Sequence, residues 1–77
     1  MKYVIFTDHE FVIIPDVTAH ALFSDLQPIS AGFCNIESYR NQYDDIRWRA
    51  TCWGESTSLG IKSRPIEDAE IISSMLR

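Results

Sequence analysis

The chain has 77 residues, 45% of them hydrophobic and 23% charged, which fits one small domain whose thin core a second copy would reinforce. Its 7 basic side chains against 11 acidic ones leave a formal net charge of −4, which excludes a general nucleic-acid coating protein but not a local basic patch. No apolar run approaches the roughly 20 residues of a membrane span, and Asp8 interrupts the one candidate signal-peptide core, so a cytoplasmic location is expected.

Residues 2–7 and 10–14 are rich in β-branched and aromatic side chains and flank Asp8-His9, which predicts a tight hairpin. Asp and His tolerate left-handed backbone angles better than most residues, so this pair can turn the chain without Asn-Gly or Asp-Gly. Pro15 ends the second strand. The Asp16 carboxylate is then placed to cap a helix over 17–26, with Val17, Ala21, Leu22 and Leu26 on its apolar side and Pro28 closing it.

From Ile29 to Lys62 the apolar pattern changes to period two. Strands near 30–39 and 46–53, joined by a loop centred on Tyr43, pair Cys34 with Cys52 and Ile36 with Ala50 on one face. The other face receives Phe33 with Trp53, Asn35 with Thr51, Glu37 with Arg49 and Tyr39 with Arg47. Gly54-Glu55 suits a type II′ turn into a further strand. That hairpin sets Trp48 opposite Ile61, Ala50 opposite Leu59 and Cys52 opposite Thr57 inside. Outside, it sets Trp53 opposite Ser56, Thr51 opposite Ser58 and Arg47 opposite Lys62. Ser63 as a cap and Pro65 in the first turn open a closing helix over 65–76, with Ile66, Ala69, Ile72 and Leu76 on one face. The expected fold is α+β in the order ββαβββα, one domain over 1–77. It has a mostly antiparallel sheet of about five strands with two helices on one face. Trp48, Ala50, Cys52, Leu59 and Ile61 are expected inside, and Arg47, Arg49 and Thr51 face away from the helices.

Charge is unevenly placed. Residues 1–39 carry Lys2 against Asp8, Glu10, Asp16, Asp25 and Glu37, a net −4, and residues 65–77 carry Arg77 against Glu67, Asp68 and Glu70, a net −2. Residues 40–64 carry Arg40, Arg47, Arg49, Lys62 and Arg64 against Asp44, Asp45 and Glu55, a net +2. The candidate ligand-binding residues lie in this positive segment: Arg47, Arg49, Thr51 and Trp53 alternating on one strand face, Ser56, Ser58 and Lys62 across from them, and Arg64 at the last helix. Arginine grips phosphate bidentately, tryptophan stacks on a base, and hydroxyls orient a polar ligand. Free amides at the start of the last helix, with Ser63 and Arg64, add a phosphate seat. Arg47 opposite Lys62 repels unless something negative, a loop acid or an anion, lies between them. The competing reading is a solvated sheet face on which Glu37, Asp44 and Asp45 neutralise the arginines. A second surface, with Asp8, Glu10, Asp16 and Asp25, suits docking on the basic groove of a larger protein, or serves solubility alone.

Asp8-His9-Glu10 has the groups for acid/base work, but consecutive side chains point different ways and no nucleophile is placed beside them, so no catalytic residue is assigned. His9, His20, Cys34 and Cys52 are spaced too irregularly for a zinc site, and no metal or cofactor is expected. Cys34 and Cys52 are expected as buried thiols facing each other across two strands, with a disulfide as the geometric alternative. The small residues of Ser30-Ala31-Gly32-Phe33 admit a ligand or a second backbone, or mark a glycine bulge.

A compact, acidic chain without a catalytic motif, ending about where its last helix ends, resembles the small orphan proteins carried by bacteriophages and prophages. The resemblance implies action on host defence, by sequestering a nucleotide signal or by occupying the surface of a nuclease or effector. From the residues, the expected function is a non-enzymatic binding module that holds an anionic, nucleotide-like ligand with Arg47, Arg49, Trp53 and Arg64. The alternative is a protein-interaction module that inhibits a larger partner through its acidic surface or an exposed sheet edge, and a small enzyme ranks third. A homodimer is expected through sheet edges or an apolar sheet face.

Overall fold

The first two apolar runs form β1 (Lys2–Thr7) and β2 (Glu10–Ile14), an antiparallel hairpin turned by Asp8-His9, in the computed structural model, which describes residues 1–76. Val4 lies opposite Val12 and Lys2 opposite Ile14, with a register shift between Ile5 and Thr7. β3 (Ser30–Arg40) and β4 (Ile46–Trp53) pair in the expected register, Cys34 with Cys52, Ile36 with Ala50, Glu37 with Arg49 and Tyr39 with Arg47. β1 also pairs with β3, Tyr3 opposite Gly32, so the sheet is antiparallel with strand order β2-β1-β3-β4.

The sheet has four strands rather than five. β5 (Glu55–Ser56) and β6 (Ile61–Lys62) form a separate two-stranded ribbon with Glu55 opposite Lys62 and Ser56 opposite Ile61. None of the pairs expected between β4 and the following strand forms, including Arg47 with Lys62 and Trp48 with Ile61. Two groups compete for that pairing and win. Ser73 Oγ accepts the Ala50 amide at 2.9 Å, so the last helix occupies the edge where a fifth strand would lie. Gly54, at φ +80, turns the chain away, and its carbonyl accepts both the amide (3.0 Å) and the hydroxyl (2.7 Å) of Ser63, closing the ribbon on itself.

The first helix is also shorter than expected, a 3-10 helix at His20–Leu26 rather than an α-helix over 17–26. Asp16 does not cap it, because that carboxylate pairs with the amino terminus at 3.2 Å, and the residue at the cap position is Ala19. The apolar face drawn for it fails too. Val17 is 96% exposed and Leu22 and Leu26 are exposed as well, while the buried residue of this segment is His20, whose Nε2 lies 3.0 Å from the Gly32 carbonyl.

The closing helix α1 (Pro65–Met75) starts where Pro65 places it. It packs on β4 and seals a core of Tyr3, Ile5, Cys34, Ala50, Cys52 and Ile72. Ala69 and Leu76 join that core as expected, but Ile66 is exposed. The two helices lie on opposite faces of the sheet, not on one. Tyr3 and Ile5 face α1, whereas the alternating Lys2 and Phe6 face the 3-10 segment, Lys2 Nζ donating to the Thr18 carbonyl and the Phe6 ring lying 6.2 Å from Phe23. Among the described residues no helix is long and apolar enough to cross a membrane.

One buried carboxylate ties the layers together. Asp68, fully buried in the first turns of α1, accepts hydrogen bonds from Tyr3 Oη (2.5 Å), Ser30 Oγ (2.8 Å), the Arg64 amide (2.8 Å) and Arg64 Nε (3.1 Å). It thus holds the main chain just ahead of the helix and joins α1 to β1 and β3, while Ser63, expected as the cap, bonds to the Gly54 carbonyl instead and the helix start carries no side-chain cap. Burial, together with this carboxylate, pushes the Tyr3 phenol well above its ordinary range. Cys34 and Cys52 are buried and free. Burial raises both thiols, Cys52 up to about 12 with the neighbouring Cys34 and Asp68 contributing.

Candidate functional site

Pairing with β1 ends at Phe33, so among the described residues β4 is the only strand beside β3 from Asn35 onward, and the two form a projecting arm. Asn41 builds its tip. The Asn41 side chain accepts the amides of Tyr43 (2.9 Å) and Asp45 (3.1 Å), Asp44 takes φ 63, and Arg40 holds Asp44 at 3.0 Å. These local bonds fix the loop without help from the core.

Arg47 and Arg49 lie, as expected, on the strand face opposite the one α1 packs against, and they meet the end of α1 only around the outer edge of β4. Arg49 does not pair with Glu37, whose Oε1 accepts from Asn35 Nδ2 at 2.8 Å; its guanidinium lies 5.0 Å from the centre of the Tyr39 ring. Arg47 has Asp45 at 3.8 Å, a long and exposed pair that holds little charge back. Both arginines line a groove of about 450 Å³ with Tyr39, Asn41, Ile46, Trp48, Ser73 and Leu76. Among the described residues no carboxylate lines it. In a chain of net charge −4, the described lining of this recess is two cations, two aromatic rings, two neutral polar side chains and two aliphatic ones.

The groove gathers only part of the expected set. Thr51 is exposed on the same face, outside the groove, and Trp53 stacks on Phe33 at 6.5 Å, nearer the 3-10 helix. Ser56 is buried and its hydroxyl accepts the Leu59 amide at 3.2 Å with Ser58 Oγ 3.4 Å away, so both serines shape the ribbon turn. Lys62 lies opposite Glu55, so its expected repulsion with Arg47 does not arise. The phosphate seat at the start of α1 is filled internally: Asp68 takes the Arg64 amide and lies 3.0 Å from the guanidinium, and Ser63 is bonded to Gly54.

Trp48 was expected in the core and is 49% exposed in the groove wall. Tyr39, Asn41, Ile46, Ser73 and Leu76 are further lining residues that the strand pattern did not single out. The signal for them is length. An 11-residue helix spans about 16 Å, whereas the 11 residues of β3 span about 36 Å, so α1 covers part of the arm and leaves its end open.

Among the described residues nothing pairs with the outer edge of β4 there either. The Ala50 amide points outward to Ser73, and alternation along an antiparallel ladder turns the main chain of Trp48 and Ile46 the same way, beyond the reach of that hydroxyl. Elsewhere His9 is exposed in the first hairpin turn, and among the described residues no group of three His, Cys, Asp or Glu side chains is set to hold a metal ion. No protein-family model, curated protein or solved structure matches the chain.

Proposed function

We propose that the protein is a non-enzymatic binding module that takes an anionic, planar ligand of nucleotide type in the groove between the β4 arm and the end of α1. The observation that carries this reading is the lining of the groove, where, among the described residues, Arg47 and Arg49 stand beside Tyr39 and Trp48 with no carboxylate. Its volume of about 450 Å³ falls in the range of small-ligand sites, roughly 300–1,000 Å³. The arginines supply charge-assisted bonds to phosphate, an aromatic ring supplies a stacking face, and Asn41 and Ser73 supply neutral hydrogen-bonding groups. Sequestering a small nucleotide signal is the activity this chemistry suits.

Calorimetric titration with mono-, di- and cyclic nucleotides tests it. Arg49→Ala removes a charge-assisted contact of roughly 1.5–3 kcal/mol and should weaken binding about 10- to 150-fold, with the fold intact because the residue is exposed. Lys62→Ala, outside the groove, should bind as wild type. Silence of the wild-type protein toward every nucleotide would overturn the reading. The second reading, a protein-interaction module, is favoured by the main chain of Ile46 and Trp48, unpaired among the described residues, which an extended acidic segment of a partner would pair with while the arginines meet its carboxylates.

A further inference from the structure

The sheet has a second free edge, β2, at the end opposite β4. The Ile5 carbonyl accepts from the Ile29 amide (2.9 Å), and Met1 and Cys34 exchange main-chain bonds (2.7 and 3.2 Å). The odd-numbered residues of β1 therefore turn their main chain toward β3, and Lys2 and Val4 bond to their β2 partners Ile14 and Val12. Alternation then leaves the N–H and C=O groups of Phe11 and Ile13 directed outward along the free edge. Edge strands usually carry a Lys, a Pro or another device against unwanted pairing, and Glu10-Phe11-Val12-Ile13-Ile14 carries no Lys, Arg or Pro.

We infer that β2 is a self-pairing edge, at which two copies of this chain join antiparallel about a two-fold axis at Val12 into one sheet of eight strands. The symmetry is satisfied residue by residue. Phe11 meets the partner's Ile13 and Ile13 the partner's Phe11, each pair exchanging both of its outward hydrogen bonds. Val12 meets the partner's Val12, and Glu10 meets the partner's Ile14, so no like charges oppose one another. Beside this edge lies a depression of about 610 Å³ lined by Phe6, Phe11, Val12, Leu26 and Met75 with Thr7, His9 and Glu10. Leu26 and Met75 are each 61% exposed there, apolar surface that a second copy would cover. β4 offers no equivalent: a two-fold axis at Trp48 would set Arg47 against the partner's Arg49, and Ser73 already takes the Ala50 amide. The assembly is independent of the ligand groove, which lies at the other side of the sheet.

Sedimentation and native mass spectrometry of wild type, Val12→Lys and Val12→Glu test the pairing. The wild type should run at twice 8.9 kDa at micromolar concentration, each variant alone at 8.9 kDa, and an equimolar mixture of the two variants at twice 8.9 kDa again, because the axis then brings lysine to glutamate. Hydrogen exchange of the unmutated protein supplies a second measurement, in which the Phe11 and Ile13 amides should exchange more slowly as protein concentration rises. A monomeric wild type, a variant that dimerises alone, a mixture that stays monomeric, or exchange at Phe11 and Ile13 that ignores concentration would each overturn it.

Discussion

Replacing Asp68 by asparagine keeps the shape of the side chain and removes its charge, which isolates what the buried carboxylate contributes. Its two oxygens accept four hydrogen bonds, Oδ2 from Tyr3 Oη and the Arg64 amide, Oδ1 from Ser30 Oγ and Arg64 Nε. An amide group offers one acceptor oxygen and one donor nitrogen. If the nitrogen faces the Oδ2 partners, the Tyr3 hydroxyl can rotate to accept, but the Arg64 amide is left without an acceptor at the helix start. If it faces the Oδ1 partners, Ser30 can rotate and the Arg64 side chain, 35% exposed, turns to water. The second arrangement costs less and should be adopted. One charged hydrogen bond is then lost outright, worth about 1.5–3 kcal/mol, and the remaining ones weaken to neutral strength. The expected cost is about 2–4 kcal/mol, a large fraction of the roughly 5–15 kcal/mol that small domains possess. Urea unfolding followed by tryptophan fluorescence measures it as a drop in midpoint at constant slope. Glu67→Gln, one residue earlier and exposed, should stay within about 0.5 kcal/mol of wild type. Equal midpoints for Asp68→Asn and Glu67→Gln would refute the clamp.

Two further predictions concern the same core. Gly32→Ala should destabilise far more than Gly60→Ala in the same unfolding assay. A β-carbon on Gly32 collides with the Trp53 carbonyl oxygen and crowds Ser63 Cβ at 3.1 Å, whereas at Gly60 it meets nothing within 4 Å and only the φ of +69, worth about 1 kcal/mol, opposes it. Stability should also fall steeply in alkali: Cys34, Cys52 and Tyr3 hold their protons more tightly folded than unfolded, Cys52 up to about 12. Their contribution is complete below the unfolded thiol value near 8.5 and is lost as pH rises toward the folded values, each ionising group adding a slope of up to about 1.4 kcal/mol per pH unit. Midpoints that stay level from neutrality into strong alkali would contradict that burial.

The parts of the fold readable in the sequence were those in which two strands constrain each other. The β3–β4 register followed from requiring Cys34, Ile36, Ala50 and Cys52 on one face and Glu37 opposite Arg49, a condition that a one-residue slip destroys on both strands. The strand expected after Gly54 rested on weaker ground. Its pairing left out the alternative acceptor for the Ala50 amide, a serine 23 residues away on α1. The same omission put Trp48 in the core, since a strand pattern gives the face of a residue but not how far the covering helix extends. Asp68 was unreadable for a related reason. Among the acids of the last segment only its three-dimensional partners, Tyr3 at 65 residues' separation and Ser30 at 38, distinguish it from Glu67 and Glu70. Of the candidate site, alternation places Arg47 and Arg49 on one face, whereas Arg64 is taken by the Asp68 carboxylate one turn along the helix, a contact that net charge along the sequence does not reveal.

These contacts determine how the groove is held. α1 is fastened near its start to β1 and β3 through Asp68, and near its end to the β4 edge through Ser73. Ser73 and Leu76 therefore form a wall carried by the core. The facing wall, Tyr39, Asn41, Ile46 and Arg47, belongs to an arm held by its own turn and by the ladder between two strands. Such a segment opens locally at lower cost than the core strands do. A ligand seated between the walls gains its contacts from a fixed side and must order a looser one, so part of its binding energy is spent on the arm. Placing Tyr39 beneath the Arg49 guanidinium reduces that cost, because the stacked pair already holds one cation in the groove before any anion arrives.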